Sequence, residues 1–293
     1  KPVLFIPCQA GRFWDFEDFH MVDVWAKWIE EGLVTVYSCD TIDAETIANT
    51  TSHPGHRIWL HEQWYNYITQ ELVPMIHALS AKRNGYVSPL MVTGCSMGAM
   101  HAANLFFRRP DLFDGVLALS GLYDPKGFFG DYMDELVYQN HPCCYLPNMA
   151  PDHPYIQMYN QRQIVICVGQ GAWEDQLKES TAILKDILDY KGIHATVDFC
   201  GLDVCHDWPW WCKQVEYCIP RFLYREMRNL KNAIFMSPNF PELYWQFCRE
   251  LHNNGVRVLG IGDCPYDNLR KELRDSLTEY YKVSNLANYE EVF

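Results

Sequence analysis

The sequence predicts an α/β fold with a mostly parallel central sheet, and three observations carry this prediction. Short apolar, β-branched segments alternate along the chain with longer amphipathic segments, which is the pattern of βαβ units. The 293 residues are 48% hydrophobic and 15% aromatic, enough for a large packed core. The composition changes near residue 228. We therefore expect one domain over residues 1–228 and a smaller unit over residues 229–293.

Six segments have the continuous apolar character of strands that are buried on both faces of a parallel sheet. They are residues 3–7, 32–39, 88–94, 115–121, 163–169 and 194–200. Amphipathic segments alternate with them, and the clearest are long enough for helices of three or more turns. These are residues 59–82, 97–108, 175–191 and 209–227.

Residues 124–160 interrupt this alternation. The segment is rich in Pro, Gly, Asn and aromatic residues, and long connections of this kind in compact domains are often functional. We expect it to cross the sheet as a lid or as a wall of the substrate site.

The smaller unit is predicted to be a Rossmann-like βαβαβ unit. Its pattern is strand, helix over residues 241–253, strand over 256–261, helix over 268–277, strand and a terminal helical turn. The Asn253-Asn254-Gly255 sequence is typical of a helix C-terminus. The motif "GIGD" at residues 260–263 lacks the GxGxxG fingerprint, so we expect no dinucleotide site there.

The net charge and the positions of the cysteines indicate which partners and which cellular compartment to expect. A formal net charge of −13 would repel nucleic acid and anionic membranes, and no apolar run approaches the ~20 residues of a bilayer span. Most of the twelve cysteines lie in apolar segments, where Cys behaves as a small hydrophobe, and no CxxC pair occurs. We expect a reducing, cytoplasmic location, no metal and no organic cofactor.

The segment "VTGCSMGAM" (92–100) carries the clearest chemical motif. Gly-x-Ser-x-Gly between a buried strand and a helix is the pattern of a nucleophile elbow, in which Ser96 adopts a strained backbone conformation. Gly94 and Gly98 are needed where a Cβ would collide with the neighbouring strand and helix. Because the helix begins at Met97, its positive N-terminal end faces the serine. Ser96 is therefore the candidate nucleophile.

An elbow serine requires an acid and a histidine in that chain order, each just after a strand. Glu174 and Asp175 follow the strand predicted at 163–169, and His206 follows the strand predicted at 194–200. The residues alone do not choose between the two adjacent acids. Acids at the start of a helix are also common as caps, so one of the two is expected to be structural.

An acyl-transfer site also needs two donors for the oxyanion. The backbone N–H of Met97 is one candidate. The second donor is expected from the loop "PCQAGR" (7–12) after the first strand, at the N–H of Gln9 or Ala10.

Further aromatic and histidine residues carry no catalytic motif. Three tryptophans follow His206, and clustered aromatics are more typical of helix packing than of a substrate wall. We expect structural or exposed positions for the tryptophans and for three histidines: Trp208, Trp210, Trp211, His20, His53 and His56.

The residues also carry a family resemblance. "VTGCSMGAMHAANLFFRRPDLFDGVLALSGLYD" (92–124) resembles the putative-esterase family of α/β-hydrolases, which includes S-formylglutathione hydrolases and feruloyl esterase domains. The resemblance covers residues 3–226 and implies the α/β-hydrolase fold. The acid position of some relatives corresponds to Glu174, which the resemblance therefore prefers over Asp175. The chain departs from the family at two points, since "PCQAG" replaces the usual HG motif and "AWED" replaces an aspartate motif.

The C-terminal unit carries a different resemblance. "NAIFMSPNFPELYWQFCRELHNNGVRVLGIGD" (232–263) is similar to the subdomain that precedes the nucleotide-binding core of ATP-grasp carboxylate-amine ligases. The residues that hold ATP in those enzymes have no counterpart here, so ATP binding is not expected. The resemblance implies an ATP-grasp ligase as a fused domain or partner.

These observations predict a serine esterase that acts on a small-molecule ester through Ser96, His206 and Glu174 or Asp175. The same triad would serve an acyltransferase, which sequence cannot separate from a hydrolase. A non-catalytic hydrolase-fold module that serves an ATP-grasp ligase is the alternative from another class. The substrate and the oligomeric state, a homo-oligomer included, stay open.

Overall fold

A computed structural model describes residues 1–229, 232–239, 241, 243–254 and 256–287. The chain forms two compact units, Lys1–Leu223 and Tyr224–Phe293. The division falls after Leu223, whereas the composition placed it after residue 228.

The first unit contains a six-stranded, entirely parallel sheet. Its strands follow the order β2-β1-β3-β4-β5-β6, and each of the six predicted strands is present with ends shifted by a few residues. This confirms the predicted α/β fold. The strands are β1 (Pro2–Ile6), β2 (Thr35–Ser38), β3 (Leu90–Cys95), β4 (Phe113–Leu119), β5 (Gln163–Val168) and β6 (Thr196–Phe199).

Helices pack on the sheet, and one of them was not predicted from sequence. The helix Met21–Glu30 buries Met21, Trp25 and Trp28, which recur at helical spacing. Between residues 1 and 229, the α-helices outside residues 124–160 are α1 (Asp15–Asp18), α2 (Met21–Glu30), α3 (Pro54–Tyr67), α4 (Val73–Asn84), α5 (Met97–Arg108), α10 (Asp175–Tyr190) and α11 (Trp208–Asn229).

The predicted helix over residues 59–82 is two helices, α3 and α4, joined by a π-helical turn at Ile68–Leu72. Pro74 lies in the first turn of α4. Proline has no N–H and its ring clashes with the carbonyl four residues earlier, and a wider turn before it relieves both problems.

Residues 124–160 form a chain of short helices rather than an irregular loop. Asp134 caps one of them, since its Oδ1 accepts the Val137 N–H at 2.8 Å, and His153 caps another through the Tyr155 N–H at 3.1 Å. The segment comprises α6 (Lys126–Phe129), α7 (Glu135–Gln139), α8 (Pro142–Tyr145), a 3-10 turn (Leu146–Asn148) and α9 (Pro154–Asn160).

The second unit has a three-stranded parallel sheet of order β7-β8-β9. Its elements are β7 (Asn232–Met236), α12 (Tyr244–Asn253), β8 (Arg257–Gly262), a 3-10 turn (Tyr266–Asn268), α13 (Lys271–Arg274) and β9 (Glu279–Lys282). The predicted helix over 268–277 is wrong. Extended backbone at Arg270 separates the 3-10 turn from a four-residue helix. The predicted cap at Gly255 and the terminal helical turn lie outside the described residues.

Within the described residues, no helix is both long enough and apolar enough to cross a membrane. All twelve cysteines are free thiols.

Candidate active site

Ser96 lies at the sharp turn between β3 and α5. Its backbone has φ 56° and ψ −124°, a conformation that non-glycine residues rarely adopt. A Cβ on Gly98 would collide with the carbonyl oxygens of Ile6 and Pro7, and one on Gly94 would lie 2.7 Å from the Ile6 oxygen. The two glycines therefore let β1 and its following loop approach the first turn of α5. This close packing holds the strained serine.

His206 contacts the serine from a loop that follows β6. Its Nε2 lies 2.8 Å from Ser96 Oγ. Backbone hydrogen bonds join this loop to the loop after β5: Gly171 N–H donates to Val204 O at 2.8 Å, and His206 N–H donates to Ala172 O at 3.0 Å. These two backbone hydrogen bonds hold the two loops together next to His206.

Glu174 lies on the other side of the imidazole. Its Oε1 is 3.4 Å from His206 Nδ1, and its side chain is 0% exposed. Although Glu174 occupies the residue before α10, its carboxylate caps no backbone N–H of that helix. The distance is long for a hydrogen bond. A buried carboxylate at this distance stabilises positive charge on the ring.

Asp175 is not part of this arrangement. Its side chain is 86% exposed and pairs with Lys178 at 3.3 Å. The structure brings Ser96, His206 and Glu174 together and leaves Asp175 at the surface of the first turn of α10.

The predicted oxyanion donors differ in whether their backbone N–H groups already have a hydrogen-bond partner. Ala10 N–H donates to Asp43 Oδ2 at 3.3 Å, so that group is already bonded. The N–H groups of Gln9 and Met97 have no hydrogen-bond partner in the described part of the chain. Met97 is the first residue of α5, where free N–H groups and the helix dipole favour negative charge.

Comparison with known proteins assigns the chain. The model of a family described as putative esterase matches residues 20–217. The chain belongs to the putative esterase family. It is therefore a hydrolase, and ester hydrolysis is the activity that the family supports. Among curated proteins no match was found.

Solved structures of other esterases share the fold of this esterase. A ferulic acid esterase is 16% identical, covering 76% of this chain and 84% of that one, with a TM-score of 0.57. An S-formylglutathione hydrolase from Agrobacterium tumefaciens is 14% identical, covering 76% and 83%, with a TM-score of 0.53. The fluorophosphonate-binding serine hydrolase FphF from Staphylococcus aureus is 16% identical, covering 76% and 83%, with a TM-score of 0.51. The likeness confirms the α/β-hydrolase fold.

The esterase site contains one residue that sequence analysis missed. Ser120, fully buried after β4, donates from Oγ to Glu174 Oε1 at 2.6 Å. The Trp211 indole N–H donates to Ser120 Oγ at 3.3 Å, and the indole lies edge-on to the His206 ring at 4.9 Å. Its place in the sequence was the available signal, because Ser120 directly follows β4, and β4 lies between the strands that precede Ser96 and Glu174.

The other residues considered from sequence make no hydrogen bond, ion pair or ring contact with Ser96, His206 or Glu174 in the described part of the chain, although Trp208 packs edge-on against Trp211. Trp208 stacks on Phe19 with ring centroids 4.4 Å apart, and Trp210 carries the Lys213 ammonium over its ring. His20 pairs with Asp23 at the surface. Two further histidines have local roles: His53 caps α3 and His56 stacks on Trp59.

An apolar cluster adjoins the nucleophile. Met97, the residue after Ser96, packs with side chains from α3, α5 and residues 124–160. The buried members are Ile47, Ile58, Met97, Met100, Phe129 and Val137, and Phe128, Tyr132 and Leu136 pack against them. The segment that interrupts the alternation of strands and helices therefore packs against the residue that follows Ser96.

Proposed function

We propose that the protein is a serine esterase in which Ser96 is the nucleophile, His206 the general base and Glu174 the acid. The observation that carries the proposal is the 2.8 Å contact between His206 Nε2 and Ser96 Oγ, two groups 110 residues apart in the chain. Such a contact between an elbow serine and a histidine is the geometry that serine activation requires.

The reaction has two halves. Ser96 Oγ attacks the ester carbonyl carbon while its proton passes to His206 Nε2, and the tetrahedral oxyanion accepts hydrogen bonds from the N–H groups of Met97 and Gln9. The imidazolium then protonates the leaving alkoxide as the C–O bond breaks, which leaves an acyl-enzyme. Water then attacks the acyl carbonyl carbon while one of its protons passes to His206 Nε2. The bond between this carbon and Ser96 Oγ breaks, His206 returns the proton to Oγ, and the carboxylic acid is released.

Glu174 acts through the imidazole. Its carboxylate would accept the Nδ1 proton of His206, which keeps Nε2 free to receive the serine proton. Because Glu174 is buried, its charge is poorly screened and stabilises the imidazolium that forms in both transition states.

The apolar cluster around Met97 supports a substrate with an apolar acyl group. We expect the acyl group to lie on the side of Ser96 where Met97 packs with side chains of residues 124–160. We expect kcat/KM to rise from the acetate to the butyrate p-nitrophenyl ester, since each buried methylene contributes about 0.8 kcal/mol. The variant Phe129→Ala should change this ratio.

The decisive experiment is labelling of the purified protein by a fluorophosphonate, followed by intact mass and peptide mapping. We expect one adduct on Ser96 in the wild type and none in Ser96→Ala, with labelling strongly slowed in His206→Ala. A folded wild type that takes no label would favour the non-catalytic module instead. Product analysis with an added alcohol acceptor separates hydrolysis from acyl transfer.

The second unit has no role in this proposal. Its resemblance to the ATP-grasp ligases, and the ligase partner or fused domain that this implies, stay predictions.

A further inference from the structure

The loop that carries the candidate oxyanion donor is held by a short segment that follows β2. Phe13 N–H donates to Asp40 Oδ1 at 2.8 Å, and Thr41 Oγ1 donates to the carbonyl of Gly11 at 3.3 Å. Ala10 N–H donates to Asp43 Oδ2 at 3.3 Å. Three residues of the segment 40–43 thus hold the loop 8–13 at three points.

Asp43 is itself held from α5. Its Oδ1 accepts from His101 Nε2 at 2.8 Å, and the two side chains are 2% and 1% exposed. His101 stacks on the ring of His61 at a centroid distance of 5.0 Å. Burial lowers the pKa of His61, with smaller contributions from His101 and His141.

The Asp43 contact determines the backbone of the loop. Ala10 has φ 54°, a left-handed conformation that a non-glycine residue adopts at a cost. Gly11 N–H bonds back to Cys8 O at 2.8 Å and closes the turn around it. The Ala10 N–H is bound to Asp43, whereas the preceding N–H, that of Gln9, has no partner among the described residues.

We propose that Asp43, oriented by His101, is a positioning residue that holds the loop 8–11 so that Gln9 N–H serves the oxyanion. The inference rests on the proposed function and adds to it a buried acid-histidine pair that never contacts the substrate. The Asp43–His101 pair is close to the proposed site in the structure, because His101 lies on α5, and the first residue of this helix, Met97, is the other proposed oxyanion donor.

The kinetic test compares Asp43→Ala with Asp43→Asn. A misplaced oxyanion donor lowers kcat by about 10- to 100-fold with KM within about twofold, so we expect this of Asp43→Ala. Its Ki for a trifluoromethyl ketone, whose serine adduct carries the same oxyanion, should rise by the same factor. Asp43→Asn keeps an acceptor oxygen and should retain most of kcat. Thr41→Val removes a milder tether of the same loop, and we expect a smaller loss.

The matched control is Asn140→Ala. Asn140 is also buried and bonds to α5, since its Oδ1 accepts from Asn104 Nδ2 at 3.0 Å, but it does not contact the loop. An Asp43→Ala enzyme that loses no more kcat than Asn140→Ala, or that keeps the wild-type Ki, would overturn the proposal.

A second readout does not need turnover. Hydrogen–deuterium exchange of the peptide covering residues 7–13 should be faster in Asp43→Ala and Thr41→Val than in wild type, and unchanged in Asn140→Ala. Exchange that stays at the wild-type rate in both loop variants would refute the role of Asp43. If the wild type neither turns over esters nor takes the fluorophosphonate, the proposed function fails, while the exchange data still decide whether Asp43 holds the loop.

Discussion

Adjacent side chains at the start of α10 have opposite environments. Glu174 is buried against His206, whereas Asp175 is exposed and pairs with Lys178. Successive residues at a helix start project about 100° apart, so only one of two neighbouring acids can face the imidazole. Ser120 donates a hydrogen bond to one oxygen of this buried carboxylate, Oε1, whereas Oε2 has no partner among the described residues.

The two acids give a direct prediction. Glu174→Gln should lower kcat by about 10³-fold or more, because an amide no longer fixes the required tautomer of His206 or stabilises the imidazolium. Asp175→Asn changes an exposed side chain and should leave kcat within about twofold. Steady-state kinetics on a p-nitrophenyl ester measures both, and equal losses in the two variants would contradict the assignment.

Ser120 gives a second prediction. Ser120→Ala removes the hydroxyl that donates to Glu174 Oε1 at 2.6 Å, so we expect kcat to fall about tenfold, or about 1.4 kcal/mol in barrier, with KM unchanged. Ser180→Ala is the control. Its Oγ is also buried but accepts from Tyr123 N–H at 2.8 Å, so stability should fall while kcat changes little. A larger kcat loss in Ser180→Ala would count against the role of Ser120.

At the scale of elements, the site depends on how closely β1 and α5 approach. Gly98 packs against the carbonyls of Ile6 and Pro7, and the loop that follows β1 contains Gln9. The loops after β5 and β6 are joined by backbone hydrogen bonds, so Glu174 and His206 are placed by a single unit of backbone. Rigid elements at three strand ends therefore set the distances among the proposed catalytic groups.

The approach of β1 to α5 can be tested with Gly98→Ala. The added methyl would meet backbone atoms that cannot move without displacing β1, so we expect a loss of about 3 kcal/mol in the free energy of unfolding and a large loss of kcat. Gly127→Ala is the control, because its new Cβ would lie 2.9 Å from the flexible Cδ2 end of Leu122. Urea denaturation should show a change of less than about 0.5 kcal/mol for the control.

On the scale of the whole molecule, each unit has its own parallel sheet. The proposed catalytic groups Ser96, Glu174 and His206 all belong to the first unit. Its core includes buried polar groups as well as apolar ones, and these make its stability depend on pH.

His141 provides the pH prediction. Burial lowers the pKa of His141 to about 4 from the model-peptide value of 6.5. Between pH 4 and 6.5 the unfolded chain binds a proton at His141 that the folded chain does not bind. The neutral, buried His141 therefore contributes its full share to the free energy of unfolding above pH 6.5, and this share is lost as pH falls. From pH 7.5 to 5 the wild type should lose about 2 kcal/mol more than His141→Asn, which keeps a donor for Val137 O. Urea denaturation at both pH values tests this, and parallel losses would refute it.

The sequence by itself determined the alternation of strands and helices, the elbow at Ser96 and the order of serine, acid and histidine. These features depend on local rules. Apolar segments become buried in the core, glycines permit close approach of neighbouring backbone, and the carboxyl ends of parallel strands lie at one edge of the sheet. The helix at 21–30 was missed although its pattern was visible, and the helix at 268–277 was overestimated because extended backbone at Arg270 interrupts it.

Only the tertiary structure placed Glu174 rather than Asp175 beside His206 and left Gln9 N–H rather than Ala10 N–H without a partner among the described residues. It also brought Ser120 to Glu174 and the Asp43–His101 pair to the loop 8–13. In each case the deciding contact joins residues far apart in the chain: Ser120 with Glu174, Ala10 with Asp43, and Asp43 with His101. The local sequence around a side chain does not predict which distant residue will pack beside it. These contacts form when the sheet and its helices pack, because polar groups that become buried must then have hydrogen-bond partners.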